Sequence, residues 1–146
     1  MKTKMPKGLI VLAIILILSS ASTIRIFFRS DSHMIFLGQV LSGLPFKAYY
    51  TGLSIIDLII AVGLLYRCRW SYVGFFVSTA WCAFIGIVNI FVTTNDTLIQ
   101  SGWKLANSLS SFRTVQIIGV VLLAMMALWL FCYRRQFTAG NNKEGC

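Results

Sequence analysis

Only four of the 146 residues are acidic, two are proline and one is histidine. The lone histidine, His33, lies in an expected loop and has no second histidine or carboxylate cluster beside it. That excludes the usual ligand sets for zinc or haem and leaves no Ser–His–Asp arrangement to build. No glycine-rich loop precedes a basic residue in the phosphate-binding pattern. The four cysteines contain no CxxC pair, and none falls in an expected outer loop, so neither thiol oxidoreductase chemistry nor a disulfide framework is expected. Charged residues make up 12% of the chain, about half the share of a soluble domain. The sequence therefore points away from an enzyme, with no catalytic residues, no metal site and no cofactor expected.

What the chain has in quantity is apolar residues, 58% of the total. They gather in four stretches, Gly8–Ile24, Tyr49–Tyr66, Ser71–Val92 and Thr114–Tyr133. Each matches the length a helix needs to cross about 30 Å of hydrocarbon. The expected fold is an all-α membrane protein, four transmembrane helices in an antiparallel up-down bundle. One domain spans residues 1–135, with helices at about 8–28, 49–66, 71–92 and 114–133. Residues 136–146, rich in Gly, Asn and Lys, read as a disordered cytoplasmic tail. Aromatic residues near the span ends, Tyr49, Tyr50, Tyr66, Trp70, Tyr72, Trp129 and Tyr133, agree with rings collecting at headgroup depth.

The net charge of +9 does not indicate nucleic acid, because the basic residues are dispersed around the span ends. They set orientation instead. Lys2, Lys4, Lys7, Arg67, Arg69, Arg134, Arg135 and Lys143 fall on one side, and Arg25, Arg29, Lys47, Lys104 and Arg113 on the other. The positive-inside rule then puts both termini on the cytoplasmic side of a plasma membrane. The basic start, apolar Leu9–Leu18 and small residues Ser19–Ser22 also have the form of a cleavable signal peptide, but apolar character continues to Phe28.

The outer loop Ser30–Ala48 carries apolar runs broken by Gly38, Gly43 and Pro45, which suggests a short segment along the interface or tucked over the bundle. In the second loop, Ile99, Trp103, Ala106 and Leu109 recur at the spacing of an amphipathic surface helix, weakened by Gly102.

Asp57 is the one charged residue inside any of the four stretches. A carboxylate at that depth costs about 2.5–3.5 kcal/mol on insertion scales, so it should face the bundle interior and find a partner. Tyr50, Ser54, Asp57 and Ala61 share a stripe of polar or small residues. The expected intramembrane polar cluster is Asp57, Arg25 and Asn89, with Arg113 and Gln116 as further candidate partners. Gly74, Ser78 and Cys82, at four-residue spacing, form a helix-packing line.

Pro6-Lys7-Gly8 leading into the first helix, and Ala61-Val62-Gly63-Leu64-Leu65 followed by Arg67–Trp70, resemble the small four-helix inner-membrane proteins of unknown function from bacteria and archaea. The resemblance covers the architecture of nearly the whole chain and implies a bacterial host and no catalytic residues. The size is also similar to that of small multidrug-resistance transporters, but those carry their essential carboxylate in the first helix and this chain carries Asp57 in the second. The expected role is a non-enzymatic accessory or assembly component, its partners the lipid bilayer and another membrane protein or a second copy of itself. The alternative is a small oligomeric transporter or channel built around Asp57.

Overall fold

The computed structural model describes residues 6–27, 33–102 and 108–138, and within these the side chains of 24–27, 136 and 138 fall outside the description. The chain is mostly helical, with one β-hairpin. Its elements are α1 (Lys7–Phe27), β1 (His33–Phe36), β2 (Gln39–Ser42), α2 (Gly43–Leu65), α3 (Arg69–Val92), α4 (Asn95–Gln100), α5 (Leu109–Cys132) and α6 (Arg134–Thr138). Three of them, α2, α3 and α5, are long and apolar enough to cross a membrane. The apolar part of α1 runs over Lys7–Thr23.

Their surfaces say what solvent they need. Only 6% of the apolar stretch of α5 is buried, and Ile117, Ile118, Val121, Leu122, Met125 and Leu128 lie on its outside. A contiguous apolar surface of this extent is not tolerated in water and matches hydrocarbon. The protein is membrane-spanning.

Local chemistry sets the element ends. The first turn of α1 closes on the Pro6 carbonyl, which accepts from the Leu9 amide at 3.1 Å. Gly43 opens α2 after an extended Ser42, and Pro45 sits in the first turn, where its missing N–H is not needed. The helix therefore starts at Gly43 rather than at Tyr49, because Gly43 and Pro45 begin a helix here instead of breaking one. Ser108 caps α5 by accepting from the Ser111 amide at 3.1 Å, which likewise moves its start from Thr114 to Leu109. Between α2 and α3 the Cys68 amide bonds back to the Gly63 carbonyl at 2.9 Å, and Arg67 to Leu64 at 3.1 Å, with Arg67 at φ 59°. This closed turn reverses the chain in three residues.

Two expectations are corrected by these elements. The segment over the bundle is a β-hairpin, so the mostly helical fold also carries two short strands. Leu37 and Gly38, at φ 50° and 78°, make the two-residue turn whose twist matches that of the strands. The pairs run from His33↔Ser42 to Phe36↔Gln39. In the second loop, α4 is capped by Thr94 and ends at Gln100, with Gly102 at φ 66° just beyond. Leu109 belongs to α5, and Trp103 and Ala106 lie outside the described residues.

Helix α1 packs on α2, α2 on α3, and α3 on α5. The core is concentrated at the end that holds the α2–α3 turn, where Leu9, Leu12, Leu16, Ile60, Leu64, Phe75 and Leu130 are buried. Gly8 lies directly against the Tyr133 hydroxyl, which brings α1 to α5 there. Phe137 of α6 is 4% exposed and meets the Tyr72 ring at 5.1 Å between centroids. Helix α6 thus runs to Thr138, within the stretch from 136 read as a tail, and Phe137 joins the core. Residues 139–146 lie outside the described residues.

Close approach at the turn requires glycine. A Cβ on Gly63 would stand 2.6 Å from the Ser71 Cβ and 2.7 Å from the Trp70 ring, whereas Gly52, on the same helix, meets nothing within 4 Å. Gly63→Val is expected to destabilise the protein by about 1–3 kcal/mol through overpacking. Unfolding in detergent checks this, with Gly52→Val as the variant that stays near the parent.

Candidate functional site

The opposite, hairpin end of the bundle is not filled. There the helices surround a partly open cavity of about 420 Å³. Ser19, Ser20 and Thr23 line it from α1, Tyr49, Tyr50, Ser54 and Asp57 from α2, Cys82, Gly86 and Asn89 from α3, and Phe112 and Gln116 from α5. His33 and Ile35 of β1 line it at the hairpin. Two turns below Ser54, Ala61 is fully buried in the packed core. Leu53, Ile85 and Phe112 also line the cavity, so its wall is mixed, and the packed core lies beneath.

Asn89 holds the hairpin. It is 2% exposed, and its amide donates to the Ile35 carbonyl at 2.9 Å and accepts from the Gly38 amide at 3.1 Å. Both halves of one side chain thus pair with backbone groups on either side of the Leu37 turn residue. An isolated two-strand hairpin is marginal on its own. Further contacts seat it here. The Phe36 ring meets Tyr49 edge-on at 4.9 Å, and Gly38 lies so close to Val92 that a side chain would clash.

Asp57 accepts a hydrogen bond from the Ser78 hydroxyl of α3 at 3.1 Å. No other hydrogen bond to this carboxylate is made among the described residues. One turn above, the Ser54 hydroxyl donates to the Tyr50 carbonyl at 2.9 Å, and across the cavity Ser20 donates to Leu16 at 2.9 Å. Donation to the preceding turn satisfies these hydroxyl protons inside the membrane and leaves the oxygens able to accept from the cavity side. The Tyr49 hydroxyl accepts from the Trp81 indole at 3.2 Å.

The structure brings Asp57 and Asn89 to one cavity but gives each a different partner. Asn89 is taken up by the hairpin, and Asp57 by Ser78. The side chain of Arg25 lies outside the described residues, so its place in the expected cluster is not seen. Gln116 lines the cavity, while Arg113 does not, and its Nε is buried with no hydrogen-bond partner among the described residues. The line Gly74, Ser78, Cys82 meets α2 within the chain at its first two positions. Gly74 packs toward Ile60, Ser78 bonds to Asp57, and Cys82 faces the cavity. Gly74 and Ser78 also border a lipid-side groove of about 970 Å³ between α2 and α3, lined by Gly52, Ile56, Val77 and Trp81.

Sequence reasoning missed the roles of Asn89, Tyr49 and Tyr50. Asn89 looked like a partner for Asp57 because the hairpin was not foreseen. The signal for it was present in β-rich Met34–Phe36 and Gln39–Leu41 around Leu37-Gly38. Among the described residues no group of three His, Cys, Asp or Glu side chains is assembled to hold a metal ion.

Compared with protein-family models, curated proteins and solved structures, the chain matches none.

Asn89→Leu removes both bonds to the hairpin and strands the Ile35 carbonyl and the Gly38 amide. A loss of about 1–3 kcal/mol is expected. Hydrogen exchange should become faster at the Gly38 amide while the amides around Leu64 keep their protection.

Proposed function

We propose that this chain is a four-span antiparallel bundle of a bacterial inner membrane, both termini cytoplasmic. It acts there as a non-enzymatic accessory component that receives a small polar group in a cavity open to the outer side. The observation that carries this reading is the division of the bundle. A polar cavity bordered by Asp57 sits at the hairpin end, and a packed apolar core, with Ile60, Ala61 and Leu64 each 3% exposed or less, lies beneath it. A site of this form binds from one side and does not conduct. The basic residues Lys7, Arg67, Arg69, Arg134 and Arg135 lie at the opposite end from the hairpin, which makes the hairpin end the outer one by the positive-inside rule.

One feature favours the second reading, a small oligomeric transporter or channel: a membrane carboxylate bordering a polar cavity is the usual mark of an ion or proton pathway. The two separate in reconstituted vesicles. With a pH gradient and a potassium potential imposed, the accessory reading predicts proton and cation flux equal to that of protein-free vesicles. Flux above that level, abolished by Asp57→Asn, would establish the transporter instead.

A further inference from the structure

We propose that the cavity at the hairpin end binds a primary ammonium group, carried either by a lipid headgroup or by a free small amine, with Asp57 as its counter-ion. This deepens the reading of the cavity as a one-sided binding site and rests on it.

The lining selects charge. Among the described residues Asp57 is the one carboxylate bordering the cavity, and no Lys or Arg borders it. An anion would meet this carboxylate with nothing to offset it. A neutral apolar ligand would strand the hydroxyl and amide oxygens of Ser19, Ser54 and Gln116. An ammonium group has three donors and no acceptor, so it can pair with the carboxylate and with the hydroxyl and amide oxygens of the lining. The described hydrogen bonds already direct the Ser20 and Ser54 protons to the backbone, leaving their oxygens to accept. Ser78 occupies one oxygen of Asp57, and no described hydrogen bond occupies the other. Tyr49 and Tyr50 also line the cavity, and aromatic rings near a cation attract it further when water is excluded.

The size also fits. A volume of about 420 Å³ lies in the lower part of the range of ligand sites and has room for a headgroup or short amine. Geometry admits either source. Helices α1 and α5 meet at the turn end through Gly8 and Tyr133, and at the hairpin end they face each other across the cavity through Ser19 and Gln116.

The test uses the full chain in nanodiscs of phosphatidylcholine and phosphatidylglycerol, which carry no primary amine. Ethanolamine and lysophosphatidylethanolamine are titrated by calorimetry, with lysophosphatidylglycerol as the amine-free probe. Saturable binding of at least one amine probe is expected, at least ten-fold tighter than any binding of the amine-free probe. Asp57→Asn, which keeps an oxygen for Ser78, should weaken it at least ten-fold, and Ser54→Leu, which fills the cavity one turn above, should do the same. Binding of ethanolamine identifies a free amine as sufficient, and binding of the lysolipid alone identifies a headgroup. Equal binding of amine and amine-free probes, no binding of either amine, or amine binding that survives both substitutions overturns the assignment. Binding that appears only in Arg25→Ala also overturns it, because Arg25 then holds the carboxylate in the native protein. None of these results bears on conduction, which the vesicle flux decides separately.

Discussion

A polar group inside hydrocarbon must find its partner within the protein, and in this chain that requirement falls most heavily on Asn89. Its amide sits 2% exposed near the end of α3 and pairs with two backbone groups of the hairpin. Those backbone groups lie at or near a two-residue turn, where a short ladder leaves them without strand partners. One side chain thus satisfies itself and the hairpin together, and removing it would leave two unpaired backbone groups where water is scarce. The hairpin in turn contributes His33 and Ile35 to the cavity lining, so that part of the wall depends on this pairing.

The two ends of the bundle are built on different principles. At the turn end, glycine permits contact at Gly63 and Gly8, aliphatic side chains interlock, and α6 adds Phe137 to close the base. At the hairpin end, serine, threonine and tyrosine stand among leucine, isoleucine and phenylalanine, and the helices surround space. Serine hydroxyls donating to the preceding turn make a polar wall tolerable in a membrane helix, because no proton is left unpaired.

The helices were legible in the sequence because long apolar runs bounded by aromatic and basic residues have few other readings. Asp57 was legible for the opposite reason, as a charge where charge is expensive. The hairpin was not, since Met34–Leu41 is short and apolar, and period alone does not separate a strand from a buried helix over such a length. That omission carried through to Asn89, whose partners lie 51 and 54 residues away in sequence. The early starts of α2 and α5 were hidden because Gly43, Pro45 and Ser108 are read equally well as loop residues until a helix is seen to follow them. Phe137 was overlooked among polar neighbours that gave the tail its character.

The division into an open chamber and a sealed base is tested most directly by single-cysteine accessibility in intact cells and in inverted vesicles. Ser54→Cys and Ala61→Cys, each in a background with the native cysteines replaced, are exposed to a small, membrane-impermeant thiol reagent. The account predicts that the cysteine at 54 reacts from the outer face alone and that the one at 61 reacts from neither. Modification at 61, or modification at 54 from the cytoplasmic face, would contradict it.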